Sequence, residues 1–329
     1  MEILYLTPED VLSSGISLQE FRELVAGALA QHGRKKVENP PKPGIHPLPQ
    51  TFLHAMPAWL EETREAGIKW VSGFFDNPKQ NLPAIMGLIV LNDPDTGAPT
   101  AIIDGGWITN MRTAAVTAVA AEHLAPERVQ SIGIVGTGMQ ARYHLLMMQD
   151  MFPELEVVKG FDIHRPGLEQ FAEDMKRELG INVQPVDSVS EAVSDSDIVM
   201  TCTGVLKEPI FFWDDVKPGT LVLPVHGGGW EPDVMNKADL LVTDSHEQVS
   251  SFLAGKYNIP SSSLELGEVV AGLQKGRVSQ EQRILNFNLG LAIHDIAIAH
   301  RVCQLASEKG LGVKLPYNPN VYPVPGASQ

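Results

Sequence analysis

Apolar residues recur at helical spacing from Leu18 through Phe21, Leu24, Val25, Ala28 and Leu29, which predicts an amphipathic helix. Ser17 and Glu20 frame its start as a capping box, in which each side chain accepts from the other residue's free backbone N–H, and Gly33 can end it. The periodicity then breaks. Pro40, Pro41, Pro43, Pro47 and Pro49 forbid a helix over residues 39–49 and predict a fixed, extended loop. Apolar runs at 68–71, 84–91 and 100–103 predict strands, the last entered through the turn at 93–97. An Ala-rich stretch over 112–124 predicts a helix whose small side chains permit close packing. Up to this point the chain reads as a mixed sheet with helices.

Beyond Pro126 the pattern becomes alternation: strand at 131–135, helix at 139–150, strand at 157–162, helix at 167–179, then strands at 197–203, 221–225 and 240–243. Strands alternating with helical segments predict a parallel, doubly wound sheet. A final helix is expected over 289–309, before a Pro-rich tail.

The sharpest local signal lies where the first of these strands ends. Apolar residues 131–135 run into Gly136-Thr137-Gly138-Met139-Gln140-Ala141, a Gly-x-Gly-x-x-Ala loop opening a helix. Gly136 can make the tight turn, Gly138 lets the backbone approach a pyrophosphate, and Ala141 lets the helix pack on the strand. The free N–H groups and positive dipole end at the helix start suit phosphate, so residues 136–140 are the expected cofactor cradle. Asp162 ends the next strand, roughly 20 residues on, where a carboxylate can accept from ribose hydroxyls. An acidic residue there repels a 2′-phosphate and favours NAD(H); Arg165 leaves NADP(H) open.

Composition narrows the class. The chain has 329 residues, 43% of them hydrophobic, enough for two cores. With 25 basic and 40 acidic side chains the net charge is −15, which speaks against a nucleic-acid partner. No apolar run approaches the ~20 residues of a membrane span, and the acidic opening stretch lacks signal-peptide order. Cys202 and Cys303 stand far apart in no metal-ligand spacing, so neither a disulfide framework nor a metal site is expected. The expectation is a cytoplasmic protein.

Residues 103–115 (Ile-Asp-Gly-Gly-Trp-Ile-Thr-Asn-Met-Arg-Thr-Ala-Ala) and 136–142 together resemble the ornithine cyclodeaminase/mu-crystallin family. Residues 66–71, 267–272 and 289–295 fit in the same order, so the resemblance spans nearly the whole chain. It implies an α/β protein: a Rossmann-type parallel-sheet domain over 121–305 that binds NAD(P), and a mixed α+β substrate-binding and dimerisation domain over 1–120, to which 306–329 return. It also implies a homodimer, with an amino or imino acid bound in the cleft between the domains. Arg112 and Lys69 match the family positions that bind the substrate carboxylate, and a guanidinium fork suits that task. Lys42 matches an arginine of the Pro-rich loop, and Asp295 matches the family's aspartate. Thr201, Cys202 and Thr203 match a segment lying against the nicotinamide. Cys202 has no evident base beside it and reads as a small buried hydrophobe.

Two departures bear on the reaction. Cyclodeaminases carry an aspartate in a Gly-Gly-Asp turn where this chain has His226-Gly227-Gly228-Gly229-Trp230, so ring-closing deamination of ornithine is not expected. His226 is a candidate proton donor, against a structural histidine bonded to backbone. His294 stands where relatives often place glutamine. Trp70, Trp107 and Trp230 read as packing residues. The expected activity is hydride transfer between nicotinamide and the α-carbon of an amino or imino acid. The alternatives are a cyclodeaminase using bound NAD, and a non-catalytic NAD(P)H-binding crystallin-like protein.

Overall fold

The computed structural model describes residues 1–319 except Val205, Lys207, His226, Gly227, 254–256 and Asn258. The described strands are β1 (Glu2–Leu6), β2 (Val37–Glu38), β3 (Gly44–Ile45), β4 (Thr51–Leu60), β5 (Glu65–Phe74), β6 (Ile85–Asn92), β7 (Pro99–Asp104), β8 (Ser131–Val135), β9 (Val157–Phe161), β10 (Val183–Pro185), β11 (Ile198–Thr201), β12 (Leu221–Pro224), β13 (Leu240–Thr243), β14 (Leu264–Glu265), β15 (Ile284–Phe287) and β16 (Val313–Pro316). The helices are α1 (Pro8–Ser13), α2 (Leu18–Gly33), α3 (Gly106–Leu124), α4 (Met139–Met151), α5 (Arg165–Leu179), α6 (Val189–Val193), α7 (Val234–Lys237), α8 (His246–Phe252), α9 (Leu266–Val270) and α10 (Ala292–Glu308).

The first sheet is mixed, in the order β16-β1-β7-β6-β5-β4-β2, with β3 on the outer side of β4. Period two decides what each face does. On β5 and β6, Val71, Ile89 and Leu91 are buried, while Trp70 and Leu88, register partners on the opposite face, are 44% and 45% exposed. Lys69 shares the inward parity of Val71, so the pleat itself drives an ammonium into the core. That core face is covered by α10, which also packs on α2 and α3. Gly67 permits the approach, since a Cβ there would stand 2.9 Å from Ile296 Cδ1. Residue 305, where the expected domain boundary falls, lies inside α10, and β16 beyond it pairs antiparallel with β1.

The second sheet runs β10-β9-β8-β11-β12-β15-β13-β14, with parallel pairing throughout. The chain leaves β8 toward β9 on one side and resumes at β11 on the other, so a topological switch point lies between β8 and β11. β15, absent from the sequence expectation, inserts between β12 and β13. Leu289 to Leu291 then carry the chain back from β15 to α10 and the first sheet. The two sheets are joined on a second line by α3, which packs against both α2 and α4. It begins at Gly106, ahead of the expected Ala-rich stretch.

Candidate functional site

Four of the expected site residues come together under the inward face of the first sheet. Lys69 Nζ donates to Asp295 Oδ1 at 2.7 Å, both side chains wholly buried. Arg112 Nε lies 3.4 Å from the same oxygen, in ion-pair range but without a hydrogen bond. Asp295 Oδ2 is buried with no partner among the described residues, so the pair keeps unused hydrogen-bonding capacity. Lys42, on the Pro-rich loop, donates to the carbonyl of Leu289 at 2.8 Å and reaches that of Gly290 at 3.5 Å.

Burial dominates the electrostatics here. It pushes the Lys69 ammonium down to about 8, with Asp295 opposing and Arg112 assisting. Lys42 is likewise pushed down to about 8, by burial and then by Arg112. Burial alone would raise the Asp295 carboxyl, but Lys69 and then Arg112 outweigh it and hold it below the usual carboxylate range. His294, next along α10, is fully buried, and burial followed by Arg112 brings it to about 3. It is therefore a neutral imidazole, with neither ring nitrogen partnered among the described residues.

The glycine loop sits at the switch point. Gly136 has φ +87°, and a Cβ there would lie 2.7 Å from the carbonyl carbon and oxygen of Cys202 and from Thr203 N. The turn thus presses directly against the end of β11 and requires glycine. Gly138 differs: a Cβ would meet nothing within 4 Å. Gly138 is also the N-cap of α4 and offers no side-chain cap to the first N–H groups of this 13-residue helix. Met139 is 60% exposed beside it. Thr201 and Thr203 each have a buried Oγ1 unpartnered among the described residues. Burial pushes the Cys202 thiol up to about 12, so it is no nucleophile. These features fit a pyrophosphate and a polar ring at the strand ends.

Asp162 holds the loop itself. One carboxylate oxygen accepts from Thr137 N at 2.9 Å and Thr137 Oγ1 at 3.1 Å, the other from His164 N at 2.9 Å. Arg165 is drawn away to Glu169 at 3.1 Å and Asp187 at 2.9 Å. Gln140 donates to Asn110 Oδ1 at 2.8 Å, two residues before Arg112, which ties α4 to the arginine's helix, α3. His226 lies outside the described residues. Among the described residues no cluster of three or more His, Cys, Asp or Glu side chains could hold a metal ion.

Sequence reasoning missed Asp244, Gln248 and Asn110. The signal for Asp244 was available: it follows a predicted strand of a parallel sheet, at the carboxyl edge where such sheets place ligands. Trp230 packs as expected, stacked on Phe211 at 4.9 Å, and Trp107 meets Phe21 edge-on at 5.2 Å. Trp70 does not; it faces outward.

A family model for the ornithine cyclodeaminase/mu-crystallin family matches residues 4–310. The chain belongs to that family. A nodulation efficiency protein, NfeD, of Rhizobium meliloti is 36% identical over 321 residues, covering 96% of this chain and 99% of the relative. Among solved structures, a Thermococcus litoralis Δ1-pyrroline-2-carboxylate reductase in complex with NADH and L-proline superposes with a TM-score of 0.88 at 31% identity, over 95% of this chain and 100% of that one. An archaeal alanine dehydrogenase dimer with bound NAD gives 0.87 at 31% identity, over 97% and 100%.

Proposed function

We propose that this protein is an NAD(H)-dependent oxidoreductase that interconverts a small amino acid and its imino acid. The observation that carries the reading is the pair of buried cations, Lys69 and Arg112, set against the buried Asp295 under the first sheet, with the half-buried Lys42 beside them. Burying charge is costly, and an apolar core would serve stability as well, so a buried cationic cluster needs a task. An α-carboxylate supplies one. The Arg112 fork binds it in bidentate fashion, and Lys42 adds charge from the Pro-rich loop. Asp295 orients Lys69 and keeps it protonated, and a lysine brought down to about 8 is the group best able to exchange a proton near neutral pH.

Residues 136–140 and Asp162 would hold the dinucleotide, with Thr201 to Thr203 beside its reactive ring; when bound, the nicotinamide supplies or accepts the hydride. NAD(H) is favoured over NADP(H) because Asp162, at the end of the strand after the glycine loop, would repel a 2′-phosphate and Arg165 is engaged by two carboxylates. The reductase and the dehydrogenase structures, with NADH and NAD, support this assignment. Holding carboxylate and ring in one closed geometry is the main catalytic contribution of the chain.

A cyclodeaminase reading is disfavoured by the turn after β12. Neither Gly228 nor Gly229 supplies the carboxylate that cyclodeaminases keep there, and at Gly229, with φ +85° and a Cβ position 2.5 Å from Leu206 Cδ1 and 3.1 Å from the Phe211 ring, any side chain would be strained. Glu231 does not substitute for it, being committed to Lys237 at 2.6 Å and Trp213 N at 2.6 Å. The protein is read further as a cytoplasmic homodimer whose domains meet along α3 and the link before α10. The test is a screen of cyclic imino acids, and of α-keto acids with ammonia or methylamine, followed at the NADH absorbance with both cofactors. Turnover with NADH on a carboxylate-bearing imine is expected. Ammonia release from ornithine with catalytic NAD, or no turnover at all, would overturn the reading.

A further inference from the structure

Arg112 is not held by Asp295 alone. Its guanidinium lies directly beneath Gly290, at φ +82°, where a Cβ would come within 2.9 Å of Arg112 Cζ and closer still to Nη1. Leu289 and Gly290 form the strap that carries the chain from β15 to α10. From the first sheet's side Lys42 grips it, donating to the Leu289 carbonyl at 2.8 Å and reaching that of Gly290 at 3.5 Å. From the second sheet's side the grip is stronger. Asp244 Oδ2 accepts from Gly290 N at 2.6 Å, while Oδ1 accepts from Ser245 N at 2.9 Å. Gln248 Nε2 donates to the Gly290 carbonyl at 3.2 Å. Asp244 is fully buried and Gln248 nearly so. The shortest hydrogen bonds of the Gly290 N–H and carbonyl therefore go to side chains at β13's end and on α8, with Lys42 a longer third partner at 3.5 Å.

We propose that Asp244 and Gln248 are positioning residues for substrate binding: they fix the Leu289–Gly290 strap, and the strap fixes the Arg112 guanidinium that receives the carboxylate. The role rests on the functional reading above. A buried carboxylate at this point is otherwise hard to account for, since an apolar side chain would avoid its desolvation. Leu289 packs on the second core and Leu291 is buried in the first, but Gly290 between them has no side chain to pack, so the setting of its peptide groups depends on hydrogen bonds, and a shift there is a shift of the surface on which the guanidinium rests.

The experiment compares Gln248→Met and Asp244→Asn with the wild type, in the reductive direction with 1-pyrroline-2-carboxylate or whichever carboxylate-bearing imine the screen identifies. Loss of one buried hydrogen bond to the strap is expected to raise KM for the imine about tenfold, with kcat and the Kd for NADH changed less than about threefold. Asp244→Asn, which also removes a charge near Lys42, is expected to raise KM further. A KM equal to wild type in Gln248→Met overturns the inference, as does a parallel loss of NADH affinity and kcat, which marks a merely structural role. Gln248→Met keeps the charge balance and so decides the matter even where Asp244→Asn does not fold. If the wild type turns over no carboxylate substrate, the functional reading itself fails, a result distinct from equal KM values in active enzymes.

Discussion

A lysine, an arginine and an aspartate in one dry core are each unfavourable alone, so the consequence of a substitution depends on which charge is left behind. Removing Lys69 strands Asp295 and is expected to cost about 3–5 kcal/mol of stability, which confounds any kinetic reading. Arg112→Lys is the cleaner change, because it keeps the charge and loses the planar fork. We expect kcat/KM to fall by the equivalent of about 2–5 kcal/mol, roughly 30-fold to several-thousand-fold, with NADH binding unchanged in a fluorescence titration. A fall in NADH affinity instead would make Arg112 structural. The depressed lysines predict a pH dependence of definite sign. Lys42 and Lys69 titrate near 8 in the folded protein and at 10.5 ordinarily, so between those values the unfolded chain binds more protons and stability rises with pH. Carboxylate binding runs the other way: KM for the imino acid should climb as pH passes about 8, while the Kd for NADH does not. A KM that is flat on both sides of that value removes the two lysines from the substrate site. At this scale Arg112 and Lys69 were legible because each stands in a motif. Asp244 and Gln248 were not, since their partner is a backbone peptide group contributed by a distant strap.

Among the elements, the loop between β8 and α4 shows how two glycines of one motif do different work. Gly136 is required by its positive φ and by the closeness of Cys202, so Gly136→Ala combines a left-handed residue, about 1–2 kcal/mol, with overpacking of about 1–3 kcal/mol. A clear drop in Tm is expected. Gly138→Ala has free space around the new methyl and should leave Tm unchanged while weakening NADH binding, since the proposed pyrophosphate site takes up that space. Equal Tm losses in both variants would mean that the loop is only a tight turn. The helices were largely legible in the sequence: the capping box of α2 forms as read, with Ser17 Oγ and the Glu20 carboxylate both engaged. Several strands were not. β4 carries His54 and Pro57 within ten residues and shows no clean alternation, and its pairing with β5 is what makes it a strand. β15 is four residues, all buried, too short for periodicity to separate from any apolar run.

For the whole molecule, the first sheet presents one covered face and one uncovered one. The covered face holds the ion cluster and α10; the other presents Trp70 and Leu88 side by side, each nearly half exposed. The sequence could give the alternation along β5 but not which parity faces inward, because Lys69 and Trp70 each contradict the usual assignment. The structure places the lysine inside and the tryptophan outside, a reversal for which the proposed carboxylate site would account in the lysine and the proposed dimer in the tryptophan. Aromatic side chains so placed are the common anchors of protein interfaces, and burying such a face removes a large apolar area from water. The dimeric alanine dehydrogenase neighbour is consistent with association. Trp70→Glu puts a carboxylate into the middle of that face without touching Lys69, whose side chain lies on the other side of the sheet. Light scattering is expected to show a dimer for the wild type and a monomer for the variant at micromolar concentration, because an unpaired charge at an interface core costs several kcal/mol. Circular dichroism should be unchanged, as Trp70 contributes little to the monomer's own core. A dimeric variant beside a dimeric wild type would move the interface to another face, and a monomeric wild type would remove the dimer from the reading altogether.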